Sequence, residues 1–339
     1  MIDSAELERI NTETVSRKTL EEITSPVKPH LSEFRHFFRE TIKTDVKLLD
    51  TIIKYLHKQK GKELRPTLVF MSANLFGGVN KKSHVAATMV ELLHTATLIH
   101  DDVVDEANSR RGFVSINKIW RNKAGVLLGD FLLAKGLQIA LKHKEYRMLE
   151  IQSEAVQLMS EGELRQLKTA GLFNMTEARY FQIISEKTAS LISTCCEVGA
   201  VSATDDESHQ KLMREIGMCV GIAFQIRDDL FDYGVYDIGK PTRNDIQERK
   251  VTLPLIKAFE HSDKKESAKI RALMKKRKKR TSEVDRIVQF VHDNDGMEYA
   301  KKSMYEYANK AISLLEKLPQ SEYKQDFVEL IHFIITRKK

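Results

Sequence analysis

The chain has 339 residues, with 55 Lys and Arg against 48 Asp and Glu and a net charge of +7. Fifteen Gly and six Pro are few for this length, and three cysteines (Cys195, Cys196, Cys219) cannot build a disulfide framework. No stretch alternates apolar and polar residues, whereas nearly every segment repeats apolar residues every three to four positions, which excludes a β fold and predicts an all-α chain. The cysteines sit in apolar helical runs, as small core residues of a reducing compartment do. With no signal peptide and no long uncharged apolar run, a soluble cytoplasmic protein without a transmembrane segment is expected.

Residues 1–60 read as two or three amphipathic helices, broken near Ser25-Pro26 and Lys28-Pro29; LSEFRHFFRETI and VKLLDTIIKYL both carry apolar stripes suited to outer packing or dimer contact. Gly61-Lys62-Glu63-Leu64-Arg65-Pro66 then opens the helix TLVFMSANLFG, with Pro66 in its first turn, where a missing N–H costs little. Cations oppose the dipole at a helix N-terminus, so Lys62 and Arg65 are poorly placed unless an anion binds there. The alternative is a plain charged loop.

The stretch Glu91–Gly112, ELLHTATLIHDDVVDEANSRRG, starts as an apolar helix and ends in Asp101, Asp102 and Asp105, followed by Arg110 and Arg111. Asp101 and Asp105 stack one helical turn apart with Asp102 beside them. Three such carboxylates repel one another unless the helix end is well solvated or a hard cation binds, as Mg²⁺ does through carboxylates and substrate phosphates. His94, nearly two turns before Asp101, could reach the anion held by Lys62 and Arg65; an isolated His there is otherwise a satisfied core residue.

Downstream, VLLGDFLLAKGLQIAL is a strongly apolar helix whose Gly129 costs about 1 kcal/mol against Ala, so close packing on another helix is expected. Residues 144–168 form an amphipathic helix, and a further helix at 176–200 carries Lys187-Thr188. The next, 207–231, carries Gln225 three residues before DDLFD, where Asp228, Asp229 and Asp232 repeat the spacing of the first triplet. Two acidic triplets on two buried apolar helices are costly unless they face a shared polar site. A loop with Gly239-Lys240-Pro241, Asp245 and Arg249-Lys250 follows, its cations suited to a lid over a metal-bound polyanion. The basic run 274–280, MKKRKKR, has no interleaved aromatics and reads as a solvated connection, not a nucleic-acid site. The last helices look like packing elements.

GKELRP, HTATLIHDDVVDEANSRRG, GD, KT, FQIRDDLFD, GKP and KVTLPLI stand here in the order of the head-to-tail trans-isoprenyl diphosphate synthase family. The chain resembles that family from about Gly61 to Ala258, most closely its long-chain polyprenyl members such as octaprenyl and solanesyl diphosphate synthases. The resemblance implies one domain over 1–339, with outer or dimer helices at 1–60, a catalytic core at 61–258 and packing helices at 259–339. Its fold is a bundle of mostly antiparallel helices around a deep central cavity, normally a homodimer. Lys62, Arg65, His94 and Arg111 would hold the diphosphate of isopentenyl diphosphate. Asp101, Asp102, Asp105, Asp228, Asp229 and Asp232 would bind three Mg²⁺ that clamp an allylic diphosphate, farnesyl or geranylgeranyl. Arg110, Lys187, Thr188, Gln225 and Lys240 would complete that clamp, with Lys250 near it. Arg243 and Arg249 depart from the family, which often has Gly or another small residue at the first and frequently Gly at the second.

The implied reaction ionises the allylic C–O bond, and the isopentenyl double bond attacks the resulting carbocation; no nucleophilic Ser, Cys or His is needed, and no convincing triad is present. A terpene cyclase has no second diphosphate for GKELRP to hold. An HD-type phosphohydrolase would need histidines beyond His100, and an inactive partner subunit would not need both intact triplets. Ala96 and Thr97 lie roughly 6–7.5 Å below the acids on the helix. Both are small where short-chain relatives commonly carry an aromatic ring, so a long product in the hexaprenyl-to-decaprenyl range is expected, for a quinone side chain or similar lipid. Phe131 is the side chain that would close the floor instead. Membrane contact would be at most transient, for product release.

Overall fold

A computed structural model describes residues 18–58, 63–107, 109–110, 113–169, 175–234 and 243–337. Lys62, Arg111 and Lys240 therefore lie outside the described residues, and of Arg110 only the backbone is described. The helices are α1 Leu20–Ile23, α2 Lys28–Thr41, α3 Lys47–Lys58, α4 Leu64–Asn74, α5 Lys81–Val104, α6 Ile116–His143, α7 Tyr146–Thr169 and α8 Glu177–Ile184. They continue with α9 Ser190–Val201, α10 Glu207–Phe231, α11 Asn244–Gln247, α12 Leu253–His261, α13 Lys264–Lys275, α14 Thr281–Asp293, α15 Gly296–Glu316 and α16 Lys324–Thr336. A 3₁₀ turn at Ser25–Val27 precedes α2, and the prolines at 26 and 29 sit in first turns, as expected for residues without an N–H.

The all-α expectation holds, with one small exception. Two two-residue strands, β1 Ser109–Arg110 and β2 Phe113–Val114, form an antiparallel hairpin between α5 and α6. Such strands are too short to leave an alternating pattern. Side chains pin the turn instead: the Ser115 hydroxyl donates to the Ala107 carbonyl, and Asn117 donates to the Asp102 carbonyl at 2.9 Å. The helix expected at 176–200 is divided by a π turn, Ser185–Ala189, between α8 and α9.

The interior has two apolar clusters. The larger runs from Ile23 to Ile335 and is centred on α4, α9, α10 and α15, with nearly all of α4 and α9 buried. The smaller joins Ile52 and Ile53 of α3, Leu92, Ala96 and Ile99 of α5, and Leu128 and Leu132 of α6. Helices α5 and α6 pack along each other, and Gly129 makes that possible: a Cβ there would lie 2.1 Å from Nε2 of His100. Helix α6 is long and apolar enough to cross a membrane by length and composition, although Asp130 and Lys135 lie within it; Val126, Leu127, Leu137 and Leu141 stay exposed on it. The three cysteines are buried and free, and burial pushes the Cys196 thiol up to about 12.

The basic run 276–280 connects α13 to α14, but Lys279 is buried. Gln247 of α11 donates to the Lys279 carbonyl at 3.1 Å, and Arg243 pairs with Asp285 at 2.5 Å. The segment thus anchors the chain that returns towards the second aspartate triplet.

Arg243 and Arg249, the two departures from the family pattern, both have left-handed backbones, with φ of 50° and 64°. A Cβ costs about 1–2 kcal/mol in that conformation, a strain that glycine at either position would avoid. Comparing Arg249→Gly with Arg249→Ala isolates the backbone term, because both remove the side chain. Urea unfolding should find the Gly variant more stable by about 1 kcal/mol, the reverse of the order inside a helix. An Ala variant at least as stable as the Gly variant would contradict a strained backbone at this position.

Candidate active site

The second triplet sits at the C-terminal end of α10, where its three acids have different surroundings. Asp229 is buried; Tyr180 of α8 donates to its Oδ2 at 2.6 Å and Gln225 donates to its Oδ1 at 2.8 Å. Gln225 in turn accepts from the Thr188 hydroxyl at 2.9 Å, so Thr188, Gln225, Asp229 and Tyr180 form one continuous chain. Burial pushes the Asp229 carboxyl well above its ordinary range; the charges of Asp245 and Asp228 add to this, while the two hydrogen bonds pull the other way. Asp232 is also buried and accepts the backbone N–H of Asp245. Burial raises Asp245 to about 6 against the pull of Lys250, whose ammonium lies 3.5 Å away.

Asp228 is paired with the guanidinium of Arg337, which follows α16. That guanidinium also lies 4.1 Å from the Phe224 ring centroid, and the Arg337 carbonyl accepts from buried Arg227 at 2.6 Å. The sequence assigns the C-terminal helix to packing only, so this partner was not foreseen. The sole local trace is a basic residue closing an apolar helix. Tyr180 was missed for the same reason, its role arising from a contact 49 residues away.

Lys187 and Thr188 lie on the π turn, a device that recurs at functional sites. Two glycines let neighbours close on it. A Cβ on Gly162 of α7 would lie 2.9 Å from the Lys187 backbone nitrogen, and one on Gly221 of α10 would lie 2.5 Å from the Ala189 Cα. Thr188 is turned into the aspartate network, whereas Lys187 reaches α7, pairing with Glu163 at 2.5 Å and Gln166 at 2.8 Å.

The first triplet closes α5. Asp102 is buried, Asp101 half-buried, and Asp105 exposed as the C-cap residue. Lys250 links it to the second triplet: burial works against its charge, but Asp245, Glu248 and Asp105 together hold its pKa above the ordinary value. His94 is buried two turns earlier, and its carbonyl accepts from the Thr97 hydroxyl at 2.9 Å. Ala96 is fully buried on the smaller apolar cluster, where Phe131 also packs. Arg65 is half-buried in the first turn of α4, after Glu63, which Arg35 holds at 2.7 Å. The positive charge of Arg65 is felt at the buried Cys195 thiol of α9. His100 is engaged with α6, 3.3 Å from the Val126 carbonyl and 3.5 Å from Asp130, which removes the basis for an HD-type metal site.

The donor set is all carboxylate oxygen, which suits a hard divalent ion. Asp229 shows the need for one: it is buried beside two further acids, and its own hydrogen-bond donors are neutral.

Comparison with known proteins matches residues 46–291 to the polyprenyl synthetase family. An octaprenyl diphosphate synthase of Haemophilus influenzae is 32% identical over 321 residues, covering 94% of this chain and 97% of the relative. The crystal structure of a decaprenyl diphosphate synthase from Rhodobacter capsulatus superposes with a TM-score of 0.89 at 32% identity, covering 94% of this chain and 99% of the other. A polyprenyl synthase from Caulobacter crescentus CB15, complexed with calcium and isoprenyl diphosphate, gives a TM-score of 0.87 at 31% identity, over 95% and 100% of the two chains. With the isoprenoid synthase helical fold and these relatives, the chain belongs to the polyprenyl synthetase family of trans-prenyltransferases.

Proposed function

We propose that the chain is a long-chain polyprenyl diphosphate synthase. It extends farnesyl or geranylgeranyl diphosphate by successive head-to-tail condensations with isopentenyl diphosphate, making the side chain of a quinone or similar lipid. The observation that carries this reading is the gathering of carboxylates at the ends of α5 and α10, with acids from both ends acting on the charge of Lys250. Asp101, Asp102, Asp105, Asp228, Asp229 and Asp232 would hold three Mg²⁺. Bound there, Mg²⁺ supplies the positive charge that stabilises the departing diphosphate.

The remaining roles fall to side chains. Arg110, Lys187, Thr188, Gln225, Lys240 and Lys250 orient the allylic diphosphate, Lys187 exchanging Glu163 for a phosphate oxygen. Lys62, Arg65, His94 and Arg111 hold the diphosphate of isopentenyl diphosphate. The allylic C–O bond breaks with its electron pair on the diphosphate; the isopentenyl π pair forms the new C–C bond, and a proton leaves to the released diphosphate. Apolar walls keep water from the carbocation. The exposed apolar face of α6 suits a second copy of the chain, as in a homodimer, and the assembly is cytoplasmic with transient membrane contact at product release.

Turnover of labelled isopentenyl diphosphate by the purified chain alone tests the reading, since an inactive partner subunit gives none. Asp101→Ala and Asp228→Ala should each lower kcat by at least about a thousandfold at saturating Mg²⁺, with the helical circular dichroism unchanged; near-normal rates in either would break the shared-metal assignment. Arg65→Ala should raise KM for isopentenyl diphosphate much more than for the allylic primer. Equal effects on both would mean that the two diphosphates are not partitioned as assigned.

Product length follows from α5. Thr97 is four residues before Asp101 and on its helical face, and Ala96 lies beside it within the smaller apolar cluster. Chromatography of wild-type products should show a hexaprenyl-to-decaprenyl chain, and Thr97→Phe and Ala96→Phe should shorten it. Ala96 is fully buried, so its variant also costs about 1–3 kcal/mol by overpacking, and thermal melts separate that loss from a shorter product. A wild-type product no longer than geranylgeranyl would instead make Phe131 and the α6 leucines the floor.

A further inference from the structure

Far from the aspartates, three metal-ligating side chains converge where α2 packs on the start of α5. His30 and Glu33 stand one turn apart on α2, and His84 lies in the first turn of α5. Nε2 of His84 is 3.3 Å from Oε2 of Glu33, Nδ1 of His30 is 3.9 Å from the same oxygen, and the three ligand atoms lie within 4.8 Å of one another. The imidazoles are held by packing, with ring centroids 5.9 Å apart and Phe70 at 5.0 Å from His84 and 6.0 Å from His30. Nδ1 of His30 is buried and has no hydrogen-bond partner. A polar atom left this way costs about 1–3 kcal/mol.

We propose that His30, Glu33 and His84 form a zinc-class divalent metal site that staples α2 to α5. Two imidazole nitrogens and one carboxylate oxygen suit zinc or a neighbouring transition ion, not magnesium, which demands oxygen ligands in an octahedron. Tetrahedral zinc bonds of about 2.0–2.1 Å place ligand atoms about 3.3–3.5 Å apart, close to the spacings found between Glu33 and the two imidazoles. Glu33 is largely exposed, which opens the fourth position to water. The site stands about 26 Å along α5 from Asp101, at a rise of about 1.5 Å per residue, so its occupancy is separable from the reaction. Its effect is mechanical: it fixes an outer helix to the N-terminal end of the helix whose far end carries the first aspartate triplet.

The test uses the full chain with Asp101→Ala and Asp228→Ala, which weakens the competing carboxylate sites. Protein stripped with a chelator is titrated with zinc chloride in buffer free of magnesium and substrate. Retained zinc is measured after gel filtration, and the thermal midpoint is read with and without metal. One zinc per chain and a raised midpoint are expected, with cobalt in place of zinc giving the visible bands of a tetrahedral site. His30→Gln with His84→Gln should abolish retention and the midpoint rise, and Glu33→Gln should weaken binding by at least tenfold. Should the double histidine variant fail to fold, the exposed Glu33→Gln change gives the same reading. No zinc retained by the parent, or retention in the histidine or Glu33 variants equal to the parent's, overturns the proposal.

Discussion

Carboxylates gathered at buried helix ends repel one another and lose their hydration, and the architecture around α10 is arranged about that cost. Asp229 is met by two neutral donors, Asp228 by Arg337, Asp232 by a backbone N–H and Asp245 by Lys250. Each partner comes from a different place in the chain: α8, α10 itself, the end of α16, α11 and the segment after α11. The electrostatic problem at one helix end therefore ties together segments that are distant in sequence.

Much of this was legible in the residues. The bounds of α10, the paired triplets and the order of the motifs were all readable, because amphipathic spacing and acid clusters are local signals. The contacts that finish the site were not. Tyr180 lies on a helix with an ordinary stripe, Arg337 follows an apolar helix, and Lys279 sits in a run of cations that looks solvated; each is held by a partner that sequence spacing does not reveal. The hairpin at 109–114 escaped notice because two-residue strands have no periodicity to detect. The unusual arginines at 243 and 249 were visible as departures, but only the backbone shows that both occupy a conformation that small residues tolerate better.

Lys187 and Thr188 serve opposite sides of one turn, the first towards α7 and the second towards Asp229. An ordinary α-helix separates consecutive side chains by about 100°, and the π turn adds about one residue to the circuit without lengthening the connection. The faces of α8 and α9 are consequently out of phase, so no single wheel drawn through residues 177–201 describes both. Seen as a length variant, the turn is a one-residue insertion absorbed within a helix. Removing a residue there would restore an uninterrupted α-helix in which α8 and α9 keep their packed faces, while Lys187 and Thr188 lose the wide turn that presents them to different neighbours.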